Sequence, residues 1–170
     1  MTALQESPGL LIPNAAGTFS QYRLEHVVTF GETSRAGFVY YRNLIDWQGV
    51  CRERFAFDYI PEYMMSLRKD IAMLTTSVTC EYAGEVYETD RISIRMSIPW
   101  IRLHFMAGEF EYYRITDDGE QPIASGIQLW ANTRRTGDPD SPDFVPEPWT
   151  REVIDVCTRM GTDLTRALVK

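Results

Sequence analysis

The chain has 170 residues, of which 44% are hydrophobic and 24% are charged, and this length suits one domain with its own hydrophobic core. The 17 Lys and Arg residues against 24 Asp and Glu residues give a net charge of −7, the wrong sign for a partner of nucleic acids or anionic membranes. No apolar run approaches the roughly 20 residues of a transmembrane helix, and residues 1–16 lack the features of a signal peptide. The sequence therefore predicts an acidic, cytoplasmic, single-domain protein.

The first part of the chain predicts a leader, a strand and two helices. Residues 1–17 carry two prolines and a glycine close together, at Pro8, Gly9 and Pro13, and are expected to form a flexible leader. Apolar residues of one parity over 19–30 predict a half-buried strand, through Tyr22, Leu24, Val28 and Phe30. Helical spacing of apolar residues predicts a long helix over about 39–57, and Pro61 suits the first position of a short second helix.

The second part of the chain is dominated by a two-residue period. Alternating apolar residues predict a series of strands, at 74–82, 92–98, 101–112 and 123–129. The apolar parity changes across residues 106–109, next to a glycine, which predicts a β-bulge. Residues 136–148 hold four of the nine prolines and are expected to form a surface loop. Thr150 suits the N-cap of a final helix that reaches residue 168.

This order of elements predicts an α+β domain in which an antiparallel sheet wraps around one long α-helix. Residues 18–134 supply that domain. Residues 135–170 are expected to add the proline-rich loop and the C-terminal helix.

Histidine and cysteine chemistry finds little support in the sequence. His26 lies on the apolar face of its strand, so we expect a hydrogen-bonded core histidine, with a catalytic base as the alternative. His104 lies opposite an apolar face and is expected at the surface or at a subunit contact. No pair of histidines or cysteines has the spacing of metal ligands, and nucleotide-binding glycine motifs are absent. The sequence thus predicts neither a metal site nor a cofactor.

The segment 31–57 combines a polar strand end with the start of a buried helix. Unpaired backbone N–H groups at a helix start, among them that of Tyr41, carry partial positive charge. Such a place suits an oxyanion or a polarised thioester carbonyl. The alternative is an ordinary helix start that binds only water.

Two motifs in this segment resemble those of a known family. The run ETSRAGFVYYRN at 32–43 resembles the hot-dog-fold thioesterases of the 4-hydroxybenzoyl-CoA type, in which a turn-forming acidic strand end precedes a Gly-x-Val-aromatic-aromatic helix start and an Asn. The run WQGVCRERF at 47–55 is similar to the thioesterases that accompany enediyne iterative polyketide synthases. The resemblance implies a hot-dog fold over residues 18–134. It also implies a thioesterase that releases a polyketide acyl chain from an acyl carrier protein.

The resemblance also suggests the catalytic residues. Ser34 occupies the position of a catalytic Asp in the benzoyl-CoA enzymes and of an Asn in the enediyne enzymes. Tyr41 occupies the position whose N–H polarises the thioester carbonyl, and Arg52 matches an arginine implicated in activity. Since a serine alone is no base near neutral pH, water attack without an acyl-enzyme is expected. Glu32 then serves either as the base or as a cap of the turn.

The remaining expectations concern substrate and partners. Substrate-binding residues are predicted at the helix start and around the second helix, where core packing is the alternative, namely Gly37, Tyr40, Asn43, Phe55, Tyr63 and Met64. Arg52 lies eleven residues after Tyr41, about 16 Å along a helix. It would therefore act from the partner subunit of a homodimer, bind the substrate farther from the scissile bond, or form a structural ion pair. Dimers could pair further into a homotetramer.

An acidic carrier protein would need a basic docking patch, for which Arg35, Arg42, Arg52 and Arg54 are candidates. Two functions remain as alternatives, an acyl-CoA or aryl-CoA thioesterase and a non-catalytic acyl-binding partner of a synthase.

Overall fold

A computed structural model of the chain describes residues 9–13, 20–67, 69–138, 140–167 and 169. These residues form one sheet and three α-helices. The strands are β1 (Leu10–Pro13), β2 (Ser20–Val27), β3 (Ile71–Tyr82), β4 (Arg91–Ser97), β5 (Trp100–Leu103), β6 (Phe105–Thr116), β7 (Gly119–Asp138), β8 (Ser141–Pro146) and β9 (Asp163–Ala167). The helices are α1 (Arg42–Tyr59), α2 (Pro61–Ser66) and α3 (Arg151–Met160). None of these helices is long and apolar enough to cross a membrane.

The sheet is antiparallel except where β5 pairs with β9. Its main strands follow the order β1-β2-β4-β6-β7-β3. Strand β5 pairs with β6 and, in parallel, with β9, while β8 pairs with the far end of β7. Strand β3 has a partner strand on one side only, β7, within the described chain. This leaves β3 as a free edge of twelve residues.

Helix α1 is the centre of the hydrophobic core. Its buried face carries six residues, Leu44, Trp47, Gln48, Cys51, Phe55 and Ala56. Opposite it, β4 and β6 contribute fully buried side chains such as Ile92, Met96 and Phe110. The buried Tyr112 hydroxyl donates to the Leu44 carbonyl at 2.6 Å and so links the sheet to the helix. The predicted α+β architecture, a sheet wrapped around one long helix, is confirmed.

The change of apolar parity near residue 106 marks a chain reversal, and the predicted bulge is wrong. Strand β5 ends at Leu103, which has a φ of 55°, and β6 begins two residues later. Ile101 pairs with Met106 and Arg102 with Phe105 in an antiparallel register. A tight reversal moves alternating side chains to the other parity, as a bulge does, so the pattern alone does not separate the two.

Two further predictions need correction at the ends of the chain. In the predicted leader 1–17, Leu10–Pro13 form β1 against β2, while residues 1–8 and 14–17 lie outside the described residues. The predicted loop 136–148 is mostly a hairpin, because β7 continues to Asp138 and β8 pairs with it. The final helix ends at Met160, since Gly161 adopts a φ of 84°. The chain then forms β9, and residue 168 lies outside the described residues.

Candidate active site

A tight turn precedes α1 and positions Ser34. The turn is closed by a β-bridge between Thr33 and Val39, by the Ser34 N–H donating to the Phe38 carbonyl at 2.8 Å, and by the Gly37 N–H donating to the Ser34 carbonyl at 2.9 Å. Gly37 has a φ of 89°, a conformation that favours glycine. Because the backbone of 33–39 is held by this turn, α1 begins at residue 42 instead of the predicted 39.

Tyr41 is the N-cap of α1 and leaves its N–H available. None of the described residues accepts a hydrogen bond from this N–H, whereas the Tyr40 N–H donates to the Glu32 carbonyl at 2.9 Å. Backbone N–H groups of a first helical turn point out of the helix start and carry partial positive charge. The helix start can therefore stabilise an anionic oxygen that lies next to it.

A cavity of about 410 Å³ opens at this helix start. It is lined by nine residues, namely Ser34, Phe38, Val39, Tyr40, Tyr41, Leu44, Tyr82, Gly84 and Val86. The structure thus brings the predicted residues Ser34, Tyr40 and Tyr41 together around one space. The Ser34 hydroxyl accepts from the Ala36 N–H at 3.2 Å, so its own proton can be donated.

Glu32 points away from this cavity and is committed to other contacts. Its carboxylate accepts from the Thr29 N–H at 2.8 Å and the Thr29 hydroxyl at 2.9 Å, from the Trp47 indole N–H at 2.8 Å, and lies 2.9 Å from His26 Nε2. Burial alone would raise the pKa of the Glu32 carboxyl, but the hydrogen bonds from Thr29 and Trp47 and the neighbouring His26 together hold this pKa below its usual value. These contacts favour the second of the two predicted roles, a cap of the turn.

The groups around Glu32 form a second, separate cavity of about 250 Å³. His26 lines it, partly exposed, with its ring 4.7 Å from that of Trp47. Asn43 lines it as well, and its side-chain amide donates to the Glu32 backbone carbonyl at 2.6 Å. His26 is hydrogen-bonded as predicted, but it sits at the margin of the core. His104 is half-buried, with its ring 4.2 Å from that of Phe105.

Arg52 lies about three turns along α1 from Tyr41. Its Nη1 donates to Thr75 Oγ1 at 3.0 Å and to Gln128 Oε1 at 3.2 Å, and its guanidinium lies 5.7 Å from the centre of the Trp130 ring. Burial lowers the pKa of Arg52, which stays cationic at neutral pH. Among the described carboxylates, that of Glu53 approaches the guanidinium, at the long distance of 3.8 Å.

Arg52 also lines a narrow apolar cavity in the core. Phe55 and Tyr63 line this cavity too, with α3 residues on the far side, whereas Met64 packs against the core outside it. Its volume of about 20 Å³ is enough for roughly one water molecule. Tyr41 and Arg52 therefore line different cavities within one chain.

Tyr82 brings a polar group to the site that was not predicted from the sequence, where it is only one more apolar position of a strand. It lies at the end of β3 and its hydroxyl donates to the Tyr41 carbonyl at 3.1 Å. Burial raises the pKa of this hydroxyl to about 12, so it remains a donor at neutral pH. Among the described residues, no group of acidic, histidine or cysteine side chains is arranged to hold a metal ion.

Several proteins of known structure are similar to this chain. The dynemicin thioesterase is 31% identical, with a TM-score of 0.74 over 82% of this chain and 96% of that chain. The 4-hydroxybenzoyl-CoA thioesterase from Pseudomonas sp. strain CBS-3 is 16% identical, with a TM-score of 0.67 over 81% and 99%. The 1,4-dihydroxy-2-naphthoyl-CoA thioesterase from Synechocystis is 15% identical, with a TM-score of 0.67 over 81% and 96%. No protein-family model and no curated protein matches the chain.

Proposed function

Because the chain belongs to the hot-dog thioesterases, a family of thioester hydrolases, we propose that it releases a polyketide acyl chain from an acyl carrier protein in enediyne-type biosynthesis. The observation that carries this proposal is the cavity at the start of α1, where the Tyr41 N–H has no described acceptor and Ser34 lies alongside. Further support comes from the dynemicin thioesterase, whose crystal structures describe the binding of a polyene.

The proposed reaction is direct attack of water on the thioester carbon. The carbonyl oxygen becomes an oxyanion, which the Tyr41 N–H stabilises, and the Ser34 hydroxyl donates to this oxygen or orients the water. Collapse of the intermediate breaks the C–S bond, and the thiol leaves with a proton that comes from the water. No acyl-enzyme forms in this proposal, because no base among the described residues is hydrogen-bonded to the Ser34 hydroxyl or lines the cavity. Glu32 anchors the turn that carries Ser34 and takes no part as a base.

Arg52 enters the site from the partner subunit in this proposal. An unpaired edge strand is a template for pairing with a second chain, and β3 carries the contacts of both residues: Thr75 touches Arg52 and Tyr82 touches Tyr41. Two β3 strands that pair antiparallel about residues 78 and 79 place Thr75 of one protomer opposite Tyr82 of the other. Each Arg52 then approaches the Tyr41 cavity of the other protomer. We propose such a homodimer, which can pair further into a tetramer.

The carrier protein would dock at the mouth of the Tyr41 cavity. Arg35 and Arg42 flank the helix start and are exposed, and neither forms an ion pair with a carboxylate of the described chain. They are thus free to attract an acidic partner. Arg52 does not join this patch, because its guanidinium is held by Thr75 and Gln128 farther along α1.

Release of free thiol tests this function. The purified protein is mixed with one polyketide thioester in three forms, on the carrier protein, on coenzyme A and on N-acetylcysteamine. We expect hydrolysis to be fastest with the carrier protein, and to fall in Ser34→Ala and Arg52→Ala but not in Arg151→Ala, a control on the exposed surface of α3. Preference for coenzyme A would favour the acyl-CoA or aryl-CoA alternative. Binding without any hydrolysis would leave the non-catalytic acyl-binding partner.

A further inference from the structure

A line of buried amides connects Arg52 to the edge strand. Arg52 Nη1 donates to Gln128 Oε1 at 3.2 Å, Gln128 Nε2 donates to Gln48 Oε1 at 3.1 Å, and Gln48 Nε2 donates to the Thr79 carbonyl at 3.0 Å. The Trp130 indole N–H also donates to Gln128 Oε1, at 2.8 Å. Every bond in the line therefore has the same donor-to-acceptor direction.

The groups at the two ends fix this direction. Arg52 and Trp130 can only donate, so the Gln128 oxygen must face them and its amide nitrogen must face Gln48. The Thr79 carbonyl can only accept, so the Gln48 nitrogen must face it. Neither amide can be flipped without placing two donors or two acceptors together, and the line thus has a single arrangement.

The line is buried, and the sheet makes room for it. Gln48 is 0% and Gln128 is 3% exposed. A Cβ atom at Gly126 would lie 2.2 Å from Gln48 Nε2, so only glycine leaves space for the amide there. Polar groups in a core cost stability unless each is paired, and apolar side chains of this size would fill the same space. The core nevertheless keeps two hydrogen-bonded glutamines beside the Arg52 guanidinium. Their presence points to a role in holding this cation.

From this arrangement we infer that Gln128 and Gln48 are positioning residues that hold the Arg52 guanidinium in its working orientation, an inference that rests on the proposed function of Arg52. Gln128 and Thr75 both bind Nη1, and the Trp130 ring lies against the guanidinium. Within the described chain, Nη2 has the 3.8 Å contact to Glu53, whose side chain is 61% exposed. The line therefore fixes Nη1 and leaves Nη2 for the substrate.

Kinetics of Gln128 variants test this inference. A hydrogen bond to a charged group is worth a factor of about 10 to 100, so we expect Gln128→Leu to lower kcat by that factor with KM within about twofold. Gln128→Glu keeps an acceptor for Arg52 and Trp130 and is expected to retain more of the kcat. Gln48→Met leaves the Gln128 oxygen in place and serves as a second variant, with a smaller loss of kcat. Circular dichroism checks that each variant is folded.

Chemical rescue separates positioning from general damage to the fold. Guanidinium ion added to Arg52→Ala is expected to restore part of the thiol release, because the line of amides still forms a binding place for it. In Arg52→Ala/Gln128→Leu, half-maximal rescue should need about tenfold more guanidinium. Equal rescue of both variants, or an unchanged kcat in Gln128→Leu, would overturn the inference. Full activity of Arg52→Ala without guanidinium would instead refute the proposed role of Arg52, and the inference with it.

Discussion

Replacement of Glu32 by glutamine should destabilise the fold and tests whether this residue anchors or catalyses. The carboxylate accepts from three N–H groups, those of Thr29, Trp47 and His26, and from the Thr29 hydroxyl. A glutamine has one acceptor oxygen and turns an NH₂ group towards the remaining donors. If the amide oxygen stays with Trp47 and His26, the Thr29 hydroxyl can rotate but the Thr29 N–H loses its acceptor.

The loss of one hydrogen bond to a charged group predicts a decrease of about 1.5 kcal/mol in the free energy of unfolding, at the low end of the usual range because Thr29 is exposed to water. Urea unfolding at pH 7, at one fixed protein concentration, measures it. Glu88→Gln is the matched control, because Glu88 is exposed and no hydrogen bond of its side chain is described, and it should change stability by less than about 0.5 kcal/mol. As an anchor, Glu32 supports the turn that carries Ser34. The kcat of Glu32→Gln should therefore fall only as far as the loss of order in this turn displaces Ser34.

The pH dependence of the same difference has a defined sign. The pKa of Glu32 is lowered in the folded state from an ordinary value of 4.5, so its contribution is fully present above that value and is lost as the pH falls through the folded pKa. The gap in stability between wild type and Glu32→Gln should therefore narrow as the pH falls below about 4.5. A variant of unchanged stability whose kcat falls by orders of magnitude would refute the anchoring role and restore Glu32 as the base.

Two other predictions follow from local contacts. Thr150 Oγ1 accepts from the Val153 N–H and caps α3, so Thr150→Ala should lower the free energy of unfolding by about 1 kcal/mol. The midpoint of urea unfolding measures this change, and an unchanged midpoint would mean that the cap is dispensable. Burial raises the pKa of all three thiols, but Cys51 and Cys157 are buried whereas Cys80 is half-buried. A disulfide-exchange reagent at pH 8 should therefore label Cys80 first, and labelling of all three cysteines at one rate would contradict the packing of the core.

The fold was predictable where one regular pattern dominates the chain. Apolar residues at helical spacing located α1 to within three residues at its start, and strict alternation located β4. Apolar periodicity failed where two different structures produce the same sequence pattern. The β5–β6 reversal, which changes the apolar parity just as a bulge would, is the example. The predicted loop 136–148 shows another limit, because prolines at the edge of a sheet are compatible with a strand.

The site was predictable only in part, because side-chain direction depends on distant residues. Ser34 and Tyr41 are close along the chain, so the motif located both. The direction of the Glu32 carboxylate is set by Trp47, fifteen residues away, and by His26 on β2. Gln48 and Gln128 are polar residues in the core, where hydrophobic patterning expects none, and their pairing across 80 residues has no local signal.

The strand order has a consequence for how the chain folds. Strand β2 pairs with β4 and β3 pairs with β7 across long separations in sequence, with α1 enclosed between them, and such non-local pairings are slow to form. The β6–β7 hairpin, closed by the turn from Thr116 to Gly119, is the longest pairing between neighbouring strands of the described chain. We expect this hairpin and α1 to form first and the outer strands to add later, on a timescale of about milliseconds to seconds. Until β3 is paired, its exposed edge can bind other unfolded chains. The refolding yield should therefore fall as the protein concentration rises.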